Sequence, residues 1–247
     1  MGPPDPRTPH APDEWLRRFA TLPLMYQPGE RWQYNTGSLV LGVLVARAAR
    51  RSLPDFFRRR IFEPLGMRDT GFSMPAEQTG RLPSFYQTNF LTGKMDLQSI
   101  SGPAVWTEPP AFPSGAAGLV STIDDYLAFA RLLLGEGVHQ NTRLLSQRSV
   151  RLMTTNHLTP EQMATGGPIL GGQGWGYGMA VIAAPDEVSL EPGRYGWNGG
   201  YGTFWFNDPT RRLVAIAMTQ TSDVLFNGAM TEFARLAVNS SMGRDMQ

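Results

Sequence analysis

Residues 22–48 read LPLMYQPGERWQYNTGSLVLGVLVARA, a loop that runs into a helix. Pro23, Pro28 and Gly29 punctuate its first half and forbid a regular element there. From Ser38 the character changes: Leu39, Val40, Val43, Leu44 and Ala48 recur at helical spacing and predict an apolar stripe over 38–50. The helix runs out in Arg47, Arg50 and Arg51. Tyr34 therefore stands at a helix entrance. Ser52, with Asp55 three residues on and Pro54 in the first turn, opens a second helix to about residue 62. Pro64 and Gly66 end it.

Upstream, residues 1–12 hold five prolines and predict an extended arm. Asp13 is placed to cap a short helix over 13–22 with Trp15, Leu16 and Phe19 on one face. Residues 64–120 show no helical or strand period, which marks an elaborate loop region. Ser121 and Thr122 precede a helix that ends at Gly135, and Ser146 caps another over 147–155. The last third changes period. GWGYGMAVIAA, RYGWNGG, TFWFNDP and RRLVAIAMTQ are short aromatic or β-branched runs split by Gly or Asp-Pro. They predict an antiparallel meander turning at Asn207, Asp208 and Pro209, followed by a helix over 227–240. The fold class is α+β.

Composition narrows the function. The 247 residues carry a formal charge of +1, so no cationic surplus exists to displace the counterions of a nucleic acid. There is no cysteine, hence no disulfide, thiolate metal site or cysteine nucleophile. His10, His139 and His157 are scattered, which argues against a zinc cage. The longest apolar run, 39–46, is far short of a membrane span, and the Pro-rich start lacks a signal peptide's apolar core. These features predict a cytoplasmic protein without metal or organic cofactor.

A serine nucleophile is recognisable by the spacing of its neighbours. Gly71-Phe72-Ser73-Met74-Pro75 lacks the final small residue of a nucleophile elbow, and Ser73 is expected in a plain loop. A Ser-x-x-Lys pair would set amine and hydroxyl on one helix face. Lys94 is the single lysine of the sequence, and Leu91 stands three residues before it. The pair is absent. Asp124 and Asp125 are expected as helix-cap and first-turn charges, the arginines of 47–60 mostly as solvated faces with one of them able to bind substrate. Trp175, Tyr177, Tyr195, Tyr201, Phe204 and Trp205 are expected mainly as sheet packing.

The opening stretch together with FFRRRIFEPLGMRDTGF (56–72) resembles the serine β-lactamase and penicillin-binding-protein superfamily, in its class C-like carboxylesterase (family VIII) branch. PSGAAGLVSTIDDYLAFARLLLGEG (113–137), GWGYGMAV (174–181) and RYGWNGGYGTFWFNDPTRRLVAIAMTQ (194–220) follow in the family's order, so the resemblance spans about 13–222. It implies a β-lactamase/transpeptidase-like fold and acyl-enzyme chemistry. Tyr34 matches the tyrosine that exchanges a proton with nucleophile and leaving group. Thr36 stands where the β-lactamases carry Asn. Trp197-Asn198-Gly199 replaces Lys-Thr-Gly, as in the esterase branch, and would contact substrate. The Gly200 N–H would donate to the oxyanion. Without the lysine, uncharged esters are favoured over carboxylate-bearing substrates.

The resemblance also places a Ser-x-x-Lys helix well upstream of the tyrosine, where only 33 residues precede Tyr34 here. The expectation is a single domain that is N-terminally incomplete: an arm over 1–12, a helical and loop region over 13–170, and strands with a final helix over 171–247. About three of five main strands should be present, the strand at 212–219 should form an open edge, and apolar helix faces should lie bare. A completing N-terminal segment or chain is the implied partner, beside a small ester or amide substrate. β-Lactam or D-peptide cleavage is the neighbouring alternative, and a non-catalytic binding derivative of the fold is the other.

Overall fold

The computed structural model describes residues 10–89, 91–98, 102 and 104–242. The arm expected over 1–12 thus falls largely outside the described residues, and its last residue is already helical. Helix α1 spans Pro12–Phe19. Pro12, with its φ fixed, opens the helix after Ala11, so Asp13 is a first-turn charge rather than the expected cap. Asp13 instead pairs with Arg47 of the next helix at 2.6 Å.

Helix α2 spans Thr36–Ala49 and closes on Arg50, which takes a left-handed φ of 50°. It begins two residues before the expected start. Leu39 and Val43 bury against Trp15 of α1 and Phe112. Gly42 allows the 113–118 loop to lie directly on the helix: a Cβ on Gly115 would sit 2.3 Å from the Ser38 carbonyl oxygen. That contact explains why small residues fill the Pro113–Gly118 block.

Helix α3, Leu53–Phe57, starts as expected on Ser52, whose Oγ accepts the Asp55 N–H at 3.3 Å. It widens into one π turn, Arg58–Phe62, and returns to α4, Glu63–Leu65, before Gly66 reverses the chain. Pro64 has no N–H to give, and the widened turn lies immediately before it. Beyond come a 3₁₀ turn, Ala76–Arg81, a small hairpin of β1, Tyr86–Thr88, with β2, Met95–Leu97, and α5, Ala104–Thr107. Residues 64–120 hold only such short elements.

Helix α6, Ile123–Leu134, is capped by Thr122. Asp125 does more than neutralise its first turn: it accepts the Asp69 N–H and the Thr70 hydroxyl, both at 2.8 Å, and so fastens the loop after α4 to α6. A two-residue hairpin follows, β3 (Val138–His139) with β4 (Thr142–Arg143). Then come α7 (Gln147–Met153) capped by Ser146, α8 (Pro160–Thr165) with a full Thr159/Gln162 capping box, and α9 (Gly167–Leu170).

The remaining strands form an antiparallel sheet in chain order: β5 (Gly174–Trp175), β6 (Ala180–Val181), β7 (Tyr195–Gly199), β8 (Thr203–Asp208) and β9 (Leu213–Met218). Three strands are long, as expected, and two two-residue strands extend them. A 3₁₀ turn, Ser222–Leu225, and α10, Ala229–Met242, complete the described chain. β9 is the terminal strand of the sheet, the open edge expected at 212–219.

One face of the sheet packs on α6, where Trp205 meets Tyr126 and Phe129, and the other on α10, where Phe204 meets Phe233. Asn207, expected in a turn, is fully buried inside β8. Its side chain accepts the Trp205 indole N–H at 2.9 Å and donates to the Ala130 carbonyl at 2.8 Å and to the Tyr195 hydroxyl at 3.0 Å. Strand β8 therefore runs through Asp208, and the reversal follows at 209–212 with Arg212 at a φ of 49°.

Candidate active site

Tyr34 lies 163 positions from Trp197, yet the Trp197 indole N–H donates to its phenol oxygen at 2.9 Å. The local fold aims the phenol. Asn35, next in sequence, is held at φ 73° and ψ −53°, and the Thr36 N–H donates back to the Tyr34 carbonyl at 2.9 Å. This is a γ-turn of positive φ, a strained form for a residue with a Cβ. It turns the chain sharply between the tyrosine and the first turn of α2.

Three tryptophans surround the ring. Centroids of Trp32, Trp175 and Trp197 lie 5.8, 6.5 and 5.4 Å from that of Tyr34, and Trp175 stands edge-on to both Trp32 and Trp197 at 5.1 and 4.7 Å. Trp175 is set by a loop tie: Asn156 Oδ1 accepts its N–H at 3.0 Å and its carbonyl accepts the His157 N–H at 2.9 Å. Glycine is required beside it, because a Cβ on Gly176 would lie 1.9 Å from the Met153 carbonyl. The loop before Tyr34 is pinned by Gln162 of α8, whose amide donates to the Gly29 carbonyl at 2.7 Å.

The structure thus brings Tyr34 and Trp197 together. Trp197 shares a face of β7 with Tyr195, opposite Trp205. Asn198 alternates to the α10 face, opposite Phe204, and is not brought to Tyr34. Gly199 ends β7 and opens a turn closed by the Gly202 N–H on the Gly199 carbonyl at 3.0 Å. Gly200, second in that turn, is exposed. A Cβ there would meet nothing within 4 Å, and its N–H donates to no partner among the described residues. It is a free donor beside open space, as an oxyanion donor must be.

Sequence reasoning passed over Trp32 and set Trp175 among sheet-packing residues, whereas both wall the phenol. The signals were the Trp-x-Tyr spacing of 32–34 and the glycines flanking Trp175. Ser73 lies in a bend, as expected. His157 stacks on Tyr177 at 4.5 Å and its Nε2 meets the Leu152 carbonyl, a structural placement. A cavity of about 610 Å³ lined by Arg58, Phe62, Met67, Phe72 and Ser73 contains neither Tyr34 nor any of Trp197–Gly200. Among the described residues no cluster of three His, Asp or Glu side chains could hold a metal ion, and no helix is long and apolar enough to cross a membrane.

A tyrosine at a strained helix entrance is thus hydrogen-bonded to a tryptophan that precedes a glycine turn on β7, the middle strand of the sheet. The Beta-lactamase family model matches residues 2–239. The chain belongs to the Beta-lactamase family.

Within it, the chain is 39% identical over 222 residues to Protein Rv1367c of Mycobacterium tuberculosis, covering 85% of this chain and 53% of that protein. It is 31% identical to Esterase EstB of Burkholderia gladioli, covering 92% of this chain and 59% of the relative. Among solved structures it resembles EstCE1, described as a hydrolase with promiscuous acyltransferase activity, at a TM-score of 0.76 and 26% identity over 94% of this chain and 62% of the other. The chain spans little more than half the length of the curated relatives it matches.

Proposed function

We propose that this chain carries the acid/base and oxyanion part of a serine hydrolase that cleaves small uncharged esters through an acyl-enzyme. The 2.9 Å bond from Trp197 to the Tyr34 phenol oxygen carries the reading. With that donor in place, the phenolic hydrogen remains available for exchange with a nucleophile and then with the leaving alkoxide. The Gly200 N–H receives the developing oxyanion. A wall of tryptophans without a lysine at the Trp197 position suits neutral esters, and the similarity to Esterase EstB and EstCE1 supports the same substrate class. β-Lactam and D-peptide cleavage have less support, because Trp197 and Thr36 replace the Lys and Asn of the lactamase pattern.

In this reading the nucleophile Ser-x-x-Lys, absent from these 247 residues, comes from a completing segment or chain. The open edge of β9 and the exposed Leu41 and Leu44 of α2 support a single domain that continues beyond them. A cytoplasmic location belongs to the same proposal. The test is to extend the reading frame upstream, express the product that includes Ser-x-x-Lys, and compare p-nitrophenyl butyrate with a chromogenic cephalosporin. Ester turnover that exceeds cephalosporin turnover at least about a hundredfold in kcat/KM, some 2.7 kcal/mol of barrier, supports the reading. Preference for the cephalosporin overturns it.

A further inference from the structure

Asp223 lies in the 3₁₀ turn after β9, outside the aromatic cluster, yet both of its carboxylate oxygens accept hydrogen bonds. Oδ2 accepts the Thr88 hydroxyl at 2.5 Å and Oδ1 accepts the Thr88 N–H at 3.2 Å. Those bonds hold its carboxyl below the usual carboxylate range. Thr88 ends β1, which is also fastened by the Tyr86 N–H on the Gln220 carbonyl at 2.8 Å and by the Gln220 amide on the Ser84 carbonyl at 3.2 Å. The segment 84–88 is thereby clamped along 220–223.

That clamp reaches the oxyanion turn by two routes. Phe85 meets the Tyr201 ring edge-to-face at 4.9 Å, and Tyr201 follows Gly200 directly. On the backbone side, the Asp223 N–H donates to Thr221 Oγ1 at 3.1 Å. Thr219 Oγ1 lies 3.2 Å from the Thr221 carbonyl and 2.8 Å from that of Gly202, and the Thr219 N–H donates to the latter at 3.1 Å. The fit is close: a Cβ on Gly202, at φ 78°, would lie 1.9 Å from the Thr221 carbonyl. A five-residue strand pair cannot by itself fix an exposed glycine turn, since hairpin ends open locally at low free energy.

We propose that Asp223 is a positioning residue for the reaction: by latching Thr88 it holds the Phe85 segment against Tyr201 and so fixes the direction of the Gly200 N–H. This rests on the ester-hydrolase reading for its catalytic consequence but not for the coupling itself. A misdirected oxyanion donor weakens the transition state and leaves ground-state binding almost untouched. The exposed Met95 and Leu97 pair across the hairpin with Thr88 and Tyr86, on the strand next to the latch.

Hydrogen exchange of the purified 247-residue chain separates the two levels. With Asp223→Asn, and independently with Thr88→Val, the hydrogen-bonded amides of Gly202 and Thr219 should exchange at least about tenfold faster while β8 stays protected, and Thr88→Ser should behave as the unmutated chain. In the extended product with Ser-x-x-Lys, both variants should lose about tenfold in kcat for p-nitrophenyl butyrate with KM within about twofold. Faster exchange at 84–88 with the Gly202 and Thr219 amides unchanged overturns the proposal, and so does uniform acceleration through β8 in both variants. An extended product that turns over no ester contradicts the hydrolase reading, while the exchange result still decides the latch.

Discussion

Trp197 donates its indole N–H to the Tyr34 phenol oxygen at 2.9 Å, joining the entrance of α2 to the middle of β7. The bond lies at the surface, with Tyr34 39% accessible. Removing the phenol oxygen and removing its donor should therefore have different consequences. In the extended hydrolase, Tyr34→Phe is expected to lower kcat by about 10²–10⁴, the range of a lost general acid–base. Trp197→Phe keeps an aromatic ring of smaller size and loses the indole N–H, whose hydrogen bond is worth about 1 kcal/mol, or roughly fivefold. Steady-state ester kinetics check both.

Asn35 holds strain that the tyrosine's placement requires. At φ 73° a Cβ is unfavourable, and glycine enters this region freely. Asn35→Gly is expected to stabilise the chain by up to about 1 kcal/mol, whereas Asn35→Val should destabilise it by about 1–3 kcal/mol. Urea midpoints at constant m-value measure this.

Asn207 satisfies three partners in a fully buried site between β8, β7 and α6. Asn207→Ala strands the Trp205 N–H and leaves the Ala130 carbonyl and Tyr195 hydroxyl short of a donor. The expected loss is about 2–4 kcal/mol by equilibrium unfolding, well above that of a surface substitution. A change under about 1 kcal/mol would show that the network is solvated.

Burial pushes the Tyr126 phenol up to about 12. The folded state therefore keeps its proton at a pH where the unfolded chain has released it, near 10. The associated stability is complete below pH 10 and is lost as pH rises from 10 to 12. Tyr126→Phe should flatten that alkaline fall in unfolding free energy, read by denaturant titration at several pH values. An unchanged slope would mean the phenol ionises freely in the folded chain.

Much of the local structure could be read before any coordinates. Ser52, Thr122 and Ser146 each cap the helix their spacing indicated, because a cap depends on residues three apart. Tyr34 and Trp197 were legible as candidates through the order of the sequence blocks, and Gly200 through its place after Gly199. What escaped was everything set by distant neighbours. Trp175 enters the site only when β5 is tied to Asn156, Trp32 meets its ring edge-on from the loop before Tyr34, and Asn207 is pulled from an expected turn into the core by Ala130 and Tyr195. The Asn35 and π turns violate local preference, and periodicity does not register a single strained residue.

The exposed α2 face gives an independent test of incompleteness. Leu41 and Leu44 are 54% and 58% accessible on a helix whose opposite side is buried. The double change Leu41→Gln with Leu44→Gln should reduce self-association of the chain, measured by sedimentation, and shift its stability by less than about 1 kcal/mol. A loss of several kcal/mol would mean that these leucines already pack within the chain.

The most direct test of the central claim is the turnover of p-nitrophenyl butyrate by the in-frame product that includes an upstream Ser-x-x-Lys, measured with and without Tyr34→Phe. The account predicts ester hydrolysis that falls at least about a hundredfold in kcat when the phenol oxygen is removed, with KM nearly unchanged. Equal turnover by both proteins would contradict it, because Tyr34 would then be a packing residue and not the proton carrier of the site.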